Sequence, residues 1–126
     1  MTDETTAIDR PTYDALVEMV GGDRGFIHDL VDTYLTDAVQ QLADLDAAVK
    51  AGDASALTLP AHSMKSSSLN VGALELARLS RELEAQGREG QIDGAEERVA
   101  EAHRLFASVR TSLLARRADD AAASRR

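Results

Sequence analysis

Apolar residues recur at three- and four-residue steps along four long stretches of the chain, which is the spacing of amphipathic helices. In the first of these stretches Asp23 is a good N-cap, and Gly52 ends the helix after Lys50. The sequence therefore predicts one long helix between Asp23 and Gly52. Its apolar face comprises Phe26, Leu30, Tyr34, Ala38, Leu42, Leu45 and Val49.

The second stretch predicts a helix that Asp53 caps and that ends near Asn70 and Val71. Its buried stripe comprises Leu57, Ala61, Met64 and Ser68. Pro60 lies inside this helix, where it lacks a backbone donor and clashes with the preceding turn, so we expect a kink or a late helix start. Such a bend either fits the chain to its neighbours or tilts His62 outward.

The last two long stretches predict helices from Gly72 to Gln86 and from Ile92 to Leu113. Gly87 is the expected C-terminal stop of the earlier helix. The predicted buried positions are Leu76, Leu79 and Leu83 in the earlier helix, and Ile92, Ala95, Val99, Ala102, Phe106, Val109 and Leu113 in the later one.

A short helix precedes the long ones, because Pro11 suits a first helical turn and Gly21 and Gly22 stop the apolar spacing. Short connections between four long amphipathic helices predict an all-α fold. We expect an antiparallel four-helix bundle (up-down-up-down), with the short N-terminal helix as a lid over one end. Residues 1–7 are predicted to form a disordered N-terminal tail, residues 8–116 the bundle and residues 117–126 a frayed C-terminal tail.

The composition excludes several classes of protein. A chain of 126 residues without cysteine forms one domain and has neither a disulfide framework nor a thiolate metal site. The formal net charge of −8 disfavours binding to nucleic acid or to an anionic membrane surface. No apolar run is long enough for a membrane span and no secretion leader is present, so we expect a soluble, cytoplasmic protein.

A group of residues around His62 carries the most specific signal in the sequence. Its members are His62, Lys65, Ser68, Gly72, Ala73, Leu76, Leu79, Leu83 and Glu84. In this register the chain resembles the histidine-containing phosphotransfer (HPt) domain family. The signature of that family reads roughly His-x-x-Lys-Gly-x-Ser-x-x-x-Gly-Ala, before a leucine-rich helix that ends in Leu-Glu. Ser66 replaces the usual glycine and Ser80 a frequent cysteine. The resemblance extends from Ile8 to about Leu114.

The resemblance implies the same bundle and a role in a two-component phosphorelay. His62 is then the residue that takes a phosphoryl group from a hybrid sensor histidine kinase and passes it to an aspartate of a response-regulator receiver domain. The resemblance implies no cofactor of the protein's own, since Mg²⁺ lies in the acidic pocket of the receiver domain. Proteins of this family are mostly monomeric, so we expect a monomer.

The position of His62 on its helix suits this chemistry. At about 100° per residue it lies roughly 130° from the middle of the buried stripe, so we expect it to face water. An exposed imidazole is largely neutral at neutral pH, since its ordinary pKa is about 6.5, and it acts as a nucleophile toward phosphorus. Lys65 either offers its ammonium to the phosphoryl oxygens or is a solvated flank lysine. Ser66 either hydrogen-bonds the imidazole or the phosphoryl group or is a bystander.

The sequence contains no glycine-rich nucleotide loop, Walker lysine or acidic metal cluster, so we expect a phosphoryl carrier rather than an enzyme with a nucleotide site. Gly72 is interpreted as structural, because glycine permits the tight turn into the next helix. We expect the partner-docking surface on the solvent face around His62, with the preceding long helix beside it. The predicted docking residues are Ser55, Thr58, Leu59, Lys65, Ser66 and Leu69.

The other histidines, His28 and His103, have no cluster around them and are interpreted as solvated surface residues. His28 and Asp32 form either an exposed pair or a weak metal handle. A di-metal bundle site is excluded, because no two helices carry Glu-x-x-His pairs. Two alternatives to the carrier stay open: a non-phosphorylated bundle that acts as a binding scaffold or inhibitor of a kinase or receiver domain, and a purely structural helical bundle.

Overall fold

The computed structural model describes the backbone of residues 7–124 and the side chains of residues 7–119, so residues 1–6 of the predicted N-terminal tail lie outside the described residues. All regular secondary structure in this range is helical, as the apolar spacing predicts. A 3-10 helix (Ala54–Leu57) precedes the third α-helix. The α-helices are α1 (Arg10–Met19), α2 (Arg24–Ala51), α3 (Thr58–Val71), α4 (Leu74–Glu89) and α5 (Ala95–Ser124).

Each of the four long helices packs against at least two others. α3 contacts α2 and α4, α5 also contacts α2 and α4, and the short α1 packs on α3. This arrangement encloses one core, because the apolar face of each long helix meets the faces of its neighbours. The core includes Ile27, Val31, Leu45, Leu57, Met64, Leu76, Leu83, Val99 and Leu113. Within the described residues, no helix has the length and apolar character that crossing a membrane requires.

Both ends of α2 follow from the residues that the sequence marks as caps. The Asp23 side chain accepts a hydrogen bond of 3.1 Å from the backbone N–H of Phe26. Gly52 ends the helix in the left-handed conformation, with a φ of 65°. The predicted span of this helix is therefore confirmed.

α3 begins later than its predicted cap. Asp53 caps the 3-10 helix instead, by accepting a hydrogen bond from the backbone N–H of Ala56. α-Helical geometry starts at Thr58, so Pro60 lies in the first turn of α3. A missing N–H costs no helical hydrogen bond there, because the first N–H groups of a helix have no partner within it.

One apolar position of α2 differs from the prediction. Phe26 is exposed, and Ile27 is buried in its place. Ile27 lies four residues before the buried Val31, in line with the centre of the apolar stripe. Phe26 lies four residues before Leu30, in line with the half-buried edge of that stripe.

The predicted helix stop at Gly87 is wrong. α4 continues through Gly87 to Glu89 and ends at Gly90, whose φ is 69°. Gly87 instead permits close packing between helices: a Cβ at this position would lie 2.2 Å from Oγ1 of Thr58 and 2.8 Å from the Thr58 backbone nitrogen. A side chain on Gly87 would therefore push the start of α3 away from α4.

A buried hydrogen bond joins α2 to α3 and explains the small polar member of the α3 stripe. Tyr34 Oη and Ser68 Oγ are 2.9 Å apart, and both residues are buried. Burial raises the pKa of Tyr34 to about 12, against the opposite effect of the Ser68 hydrogen bond, so the hydroxyl stays protonated at neutral pH. A buried polar group without a partner costs about 1–3 kcal/mol, so this pair favours one register between the two helices.

α5 is longer than its apolar spacing predicts. The helix continues past Arg117, where the predicted frayed tail begins, to the end of the described backbone. Arg117 donates to Asp32 of α2. Arg116 donates to Asp14 of α1, and its guanidinium lies over the ring of Tyr13 at 4.8 Å from the ring centroid. These contacts are polar or cation–π, so hydrophobic periodicity does not reveal them.

Candidate functional site

His62 lies on the solvent-facing side of α3, as its helical position predicts. Its side chain is 51% exposed, and its Nδ1 atom is 2.8 Å from Oε2 of Glu84 on α4. Within the part of the chain that the structure describes, no residue hydrogen-bonds the other ring nitrogen, Nε2. The protein thus holds one edge of the imidazole and leaves the other edge to solvent.

Glu84 is the buried centre of this site. Its side chain is only 2% exposed, yet it lies 2.8 Å from His62 Nδ1, accepts a hydrogen bond of 2.7 Å from Lys65 Nζ and forms an ion pair with Arg88, whose Nη2 is 2.6 Å away. The hydrogen bond from Lys65 is the main cause that lowers the pKa of Glu84; His62 and Arg88 act in the same direction and burial opposes them. The carboxylate is therefore charged and paired. With both cations counted, the cluster carries one net positive charge beside the imidazole.

The contact with Glu84 indicates which ring nitrogen of His62 carries a proton. A carboxylate accepts hydrogen bonds and cannot donate one, so we infer that the nitrogen that faces it, Nδ1 of His62, carries the proton. The lone pair then lies on Nε2, at the exposed edge of the ring. Glu84 is also placed to balance the positive charge that the ring acquires when Nε2 forms a bond.

Two glycines, at the turn between α3 and α4 and within α4, permit close packing of the chain around the site. Gly72 ends α3 with a φ of 86°, and a Cβ at this position would lie 2.8 Å from the carbonyl oxygen of Asp9. The backbone N–H of Asp9 donates to the Gly72 carbonyl at 2.7 Å, so the residue before α1 packs directly on the turn. Gly87 follows Glu84 by about one helical turn and lets α4 approach the start of α3.

Four of the predicted docking residues are exposed around or just before His62. Leu59 and Leu69 are 75% and 48% exposed, so both present apolar surface to solvent. Ser66 is exposed one turn after His62, and Ser55 is exposed in the 3-10 helix before α3. These residues give the solvent face of α3 a partly apolar character.

The structure corrects the placement of Thr58 and narrows the interpretations of Ser66 and Lys65. Thr58 is half-buried beside Gly87 rather than on the solvent face of α3. The Ser66 hydroxyl makes no hydrogen bond to the imidazole or to any other described group, and the polar partner of the ring is Glu84. The Lys65 side chain is 24% exposed and its ammonium is bound to Glu84, so it is not the solvated flank lysine of the alternative interpretation.

The remaining histidines lie away from this cluster. His28 is half-buried, and its buried Nε2 lacks a hydrogen-bond partner. Asp32 accepts a hydrogen bond from Arg117 instead, so the predicted pair of His28 with Asp32 is not formed. His103 is exposed, and its Nε2 is 3.0 Å from both carboxylate oxygens of Asp46. Among residues 7–119, no group of three or more histidine, aspartate and glutamate side chains is suited to hold a metal ion.

The sequence alone assigned no role to Glu84 or Arg88. The available signal was the motif register, which includes Glu84 at the end of the leucine-rich helix. Arg88 follows it by one turn on the same helix face. The contact between Glu84 and His62 joins residues 22 positions apart, and it exists only because α3 and α4 pack closely.

Fold and site together define a class of protein: an all-helical phosphotransfer domain that exposes one imidazole, which a buried carboxylate orients. The family model described as Hpt domain matches residues 29–121, and the chain belongs to the Hpt domain family. This membership confirms the resemblance that the residues around His62 indicate.

A solved structure supports the same assignment. The chain is similar to the crystal structure of histidine-containing phosphotransfer protein B (HptB) from Pseudomonas aeruginosa PAO1, with 34% sequence identity and a TM-score of 0.83. The similarity covers 90% of this chain and 96% of that chain. No curated protein sequence matches this chain.

Proposed function

We propose that this protein carries a phosphoryl group on Nε2 of His62 between a hybrid sensor histidine kinase and the aspartate of a response-regulator receiver domain. The observation that supports this most directly is the geometry of His62, whose Nδ1 is held by a buried carboxylate while Nε2 faces solvent. Membership of the Hpt domain family points to the same reaction.

The transfer step balances with the groups that the site and a receiver domain provide. The Nε2 lone pair of His62 attacks the phosphorus of an aspartyl phosphate on the receiver domain. A P–N bond forms and the P–O bond to the aspartate breaks, which leaves a free carboxylate on the receiver. The proton stays on Nδ1, where Glu84 accepts its hydrogen bond. The reverse step passes the group on to another receiver aspartate.

Lys65 and Arg88 have an electrostatic role in this proposal. Phosphoryl transfer depends mainly on positioning and on stabilising the charge of the phosphoryl oxygens. Glu84 holds both cations beside the imidazole, and their joint charge exceeds that of the carboxylate by one unit. A dianionic phosphoryl group on His62 would therefore meet a positively charged surrounding.

The partners follow from the same proposal. The protein takes its phosphoryl group from another protein rather than from ATP, and the Mg²⁺ that assists the transfer belongs to the acidic pocket of the receiver domain. We further propose a cytoplasmic monomer whose bundle comprises residues 8–116 in the antiparallel, up-down-up-down order, with the polar part of α5 as an extension.

The experiment uses a panel of purified receiver domains that are phosphorylated with radioactive acetyl phosphate and then freed of it. The wild type is expected to acquire label that acid removes and base does not, while His62→Gln acquires none. Glutamine keeps an amide donor near Glu84, which favours an intact fold. His103→Gln is the matched control, since His103 is also exposed and also bound to a carboxylate.

Two results would contradict the proposal. If His62→Gln takes as much label as the wild type, then the phosphoryl group is not on His62. If the wild type binds a receiver domain without ever taking label, and the binding survives His62→Gln, then the protein is a scaffold or inhibitor.

A further inference from the structure

A groove runs along the surface between α3 and α4, next to the cluster around Glu84. It has a volume of about 200 Å³ and begins at Lys65, one of the two cations that Glu84 holds. The groove is therefore continuous with the site of phosphoryl transfer. Its lining residues are Lys65, Leu69, Leu74, Ala77, Arg78 and Arg81.

The three cations of the groove differ in how they are paired. Lys65 is bound to Glu84, and Arg78 is bound to both Glu75 and Glu82 on its own helix. Arg81 is exposed, and within residues 7–119 it forms no ion pair or side-chain hydrogen bond. The charge of Arg81 is thus the one that is available to a molecule in the groove.

The wall of the groove is apolar, although it is open to solvent. Leu69 is 48% exposed and Leu74 is 43% exposed, and Ala77 lies between them and Arg81. Leu69 follows His62 by seven residues, which is two helical turns or about 10 Å along α3. A protein bound at His62 therefore reaches the groove without leaving the same face of the molecule.

We propose that Arg81 is a specificity-determining residue, which binds a carboxylate of the receiver domain while an adjacent apolar side chain of that domain packs on Leu69 and Leu74. This inference rests on the proposed function and names one contact of its docking step. Local charge complementarity supports a carboxylate as the group bound here, because the groove is lined by three cations and Arg81 is the one without an ion pair among the described side chains. A nucleic acid or an anionic membrane is disfavoured, because its extended negative surface would meet the whole chain, whose net charge is −8.

The test compares Arg81→Glu with a matched control, Arg110→Glu. Arg110 is also exposed and also without an ion pair among the described side chains, but it lies on α5, away from the groove. The receiver domain used is the one that transfers fastest to the wild type in the panel above. Reversing a charge at the rim of an interface acts mainly on association, so we expect about a tenfold rise in KM for Arg81→Glu, little change in kcat and a weaker dependence on salt.

Labelling by phosphoramidate separates docking from chemistry, since this donor is too small to use the groove. We expect Arg81→Glu and the wild type to be labelled equally by phosphoramidate. Further support would come from the receiver domain: one of its exposed acidic residues, when changed to lysine, should restore a low KM with Arg81→Glu.

Three outcomes would overturn the inference. The first is an equal KM for Arg81→Glu and Arg110→Glu. The second is that no acidic residue of the receiver domain, when changed to lysine, restores the transfer with Arg81→Glu. The third is a fall in the labelling of Arg81→Glu by phosphoramidate, which would place Arg81 in the chemistry rather than in docking. Failure of the proposed function gives a different result, because the wild type then takes no label from any receiver domain and the inference falls with it.

Discussion

Glu84 is the residue on which the geometry of the site depends. A buried carboxylate is tolerated in a folded protein only when it is well paired. Glu84 meets this condition, because it contacts His62, Lys65 and Arg88 together. The same contacts fix the orientation of the imidazole and keep two cations beside it. In the proposed function Glu84 is therefore a positioning residue, and His62 is the residue that reacts.

Replacement of Glu84 by glutamine should make the protein less sensitive to acid. The pKa of Glu84 is lowered in the folded protein, mainly by the hydrogen bond from Lys65, so its ionised form contributes stability above the ordinary glutamate pKa of about 4.3. That stability is lost as the pH falls below about 4.3 and approaches the lower pKa of the folded state.

The measurement is the melting temperature of both proteins, followed by circular dichroism from neutral pH to about pH 3. At neutral pH the wild type should have the higher melting temperature. Below about pH 4.5 its melting temperature should fall by more than that of Glu84→Gln. Parallel curves for the two proteins would show that Glu84 is not a source of acid sensitivity.

At the scale of single residues, the sequence predicts exposure better than it predicts contacts. Helical spacing was enough to place His62 toward solvent, because that depends only on the position of one residue relative to one stripe. The pairing of His62 with Glu84 depends on the distance and register between two helices, which no local pattern contains. For the same reason the sequence predicts Thr58 on the solvent face, although the residue is half-buried beside Gly87.

The contact between α3 and α4 is the element-level feature that creates the site. Gly72 permits the turn that joins the two helices, and Gly87 permits the approach of α4 to the first residue of α3. Glu84 lies on α4 between these two points, facing His62 on α3. A small change in the separation of these helices would therefore move Glu84 relative to the imidazole.

Gly87→Ala should destabilise the protein and slow phosphoryl transfer together. Alanine has a higher helix propensity than glycine. At this position, however, its Cβ would lie 2.2 Å from Oγ1 of Thr58 and too close to the Thr58 backbone. Overpacking of this kind costs about 1–3 kcal/mol, so we expect a lower free energy of unfolding in urea and a lower rate of labelling by receiver domains.

Gly25→Ala is the control for Gly87→Ala, since Gly25 is also helical and a Cβ there would approach only the Asp23 side chain, at 3.4 Å. This variant is expected to be as stable as the wild type or more stable. Should both variants behave alike, the close approach at Gly87 would not be important for the site.

Some helix ends can be predicted from local sequence signals, and others cannot. Asp23 and Gly52 gave the limits of α2 because both act on their own helix ends. The sequence predicts a helix end at Gly87, because a glycine that ends a helix and a glycine that makes room for a neighbouring helix cannot be told apart by local pattern. Only the three-dimensional packing of Thr58 against α4 distinguishes these two roles.

At the scale of the whole molecule, α1 connects the α3–α4 turn to α5. Asp9 caps α1 and also donates its backbone N–H to the carbonyl oxygen of Gly72. Asp14 of α1 forms an ion pair with Arg116 of α5. Arg117 adds a link from α5 to Asp32 of α2. The all-helical fold was predictable from four apolar repeats, whereas these links were not, because they join charged residues that follow no period.

The proposed chemistry of His62 is tested most directly by the position of the phosphoryl group on its ring. Protein with ¹⁵N-labelled imidazole rings is phosphorylated by a receiver domain, and the bond between phosphorus and nitrogen is detected by ³¹P–¹⁵N nuclear magnetic resonance. We expect phosphorus on Nε2 of His62, with a proton retained on Nδ1 next to Glu84. Phosphorus on Nδ1, or a His62 ring that stays unmodified while another residue takes the label, would contradict it.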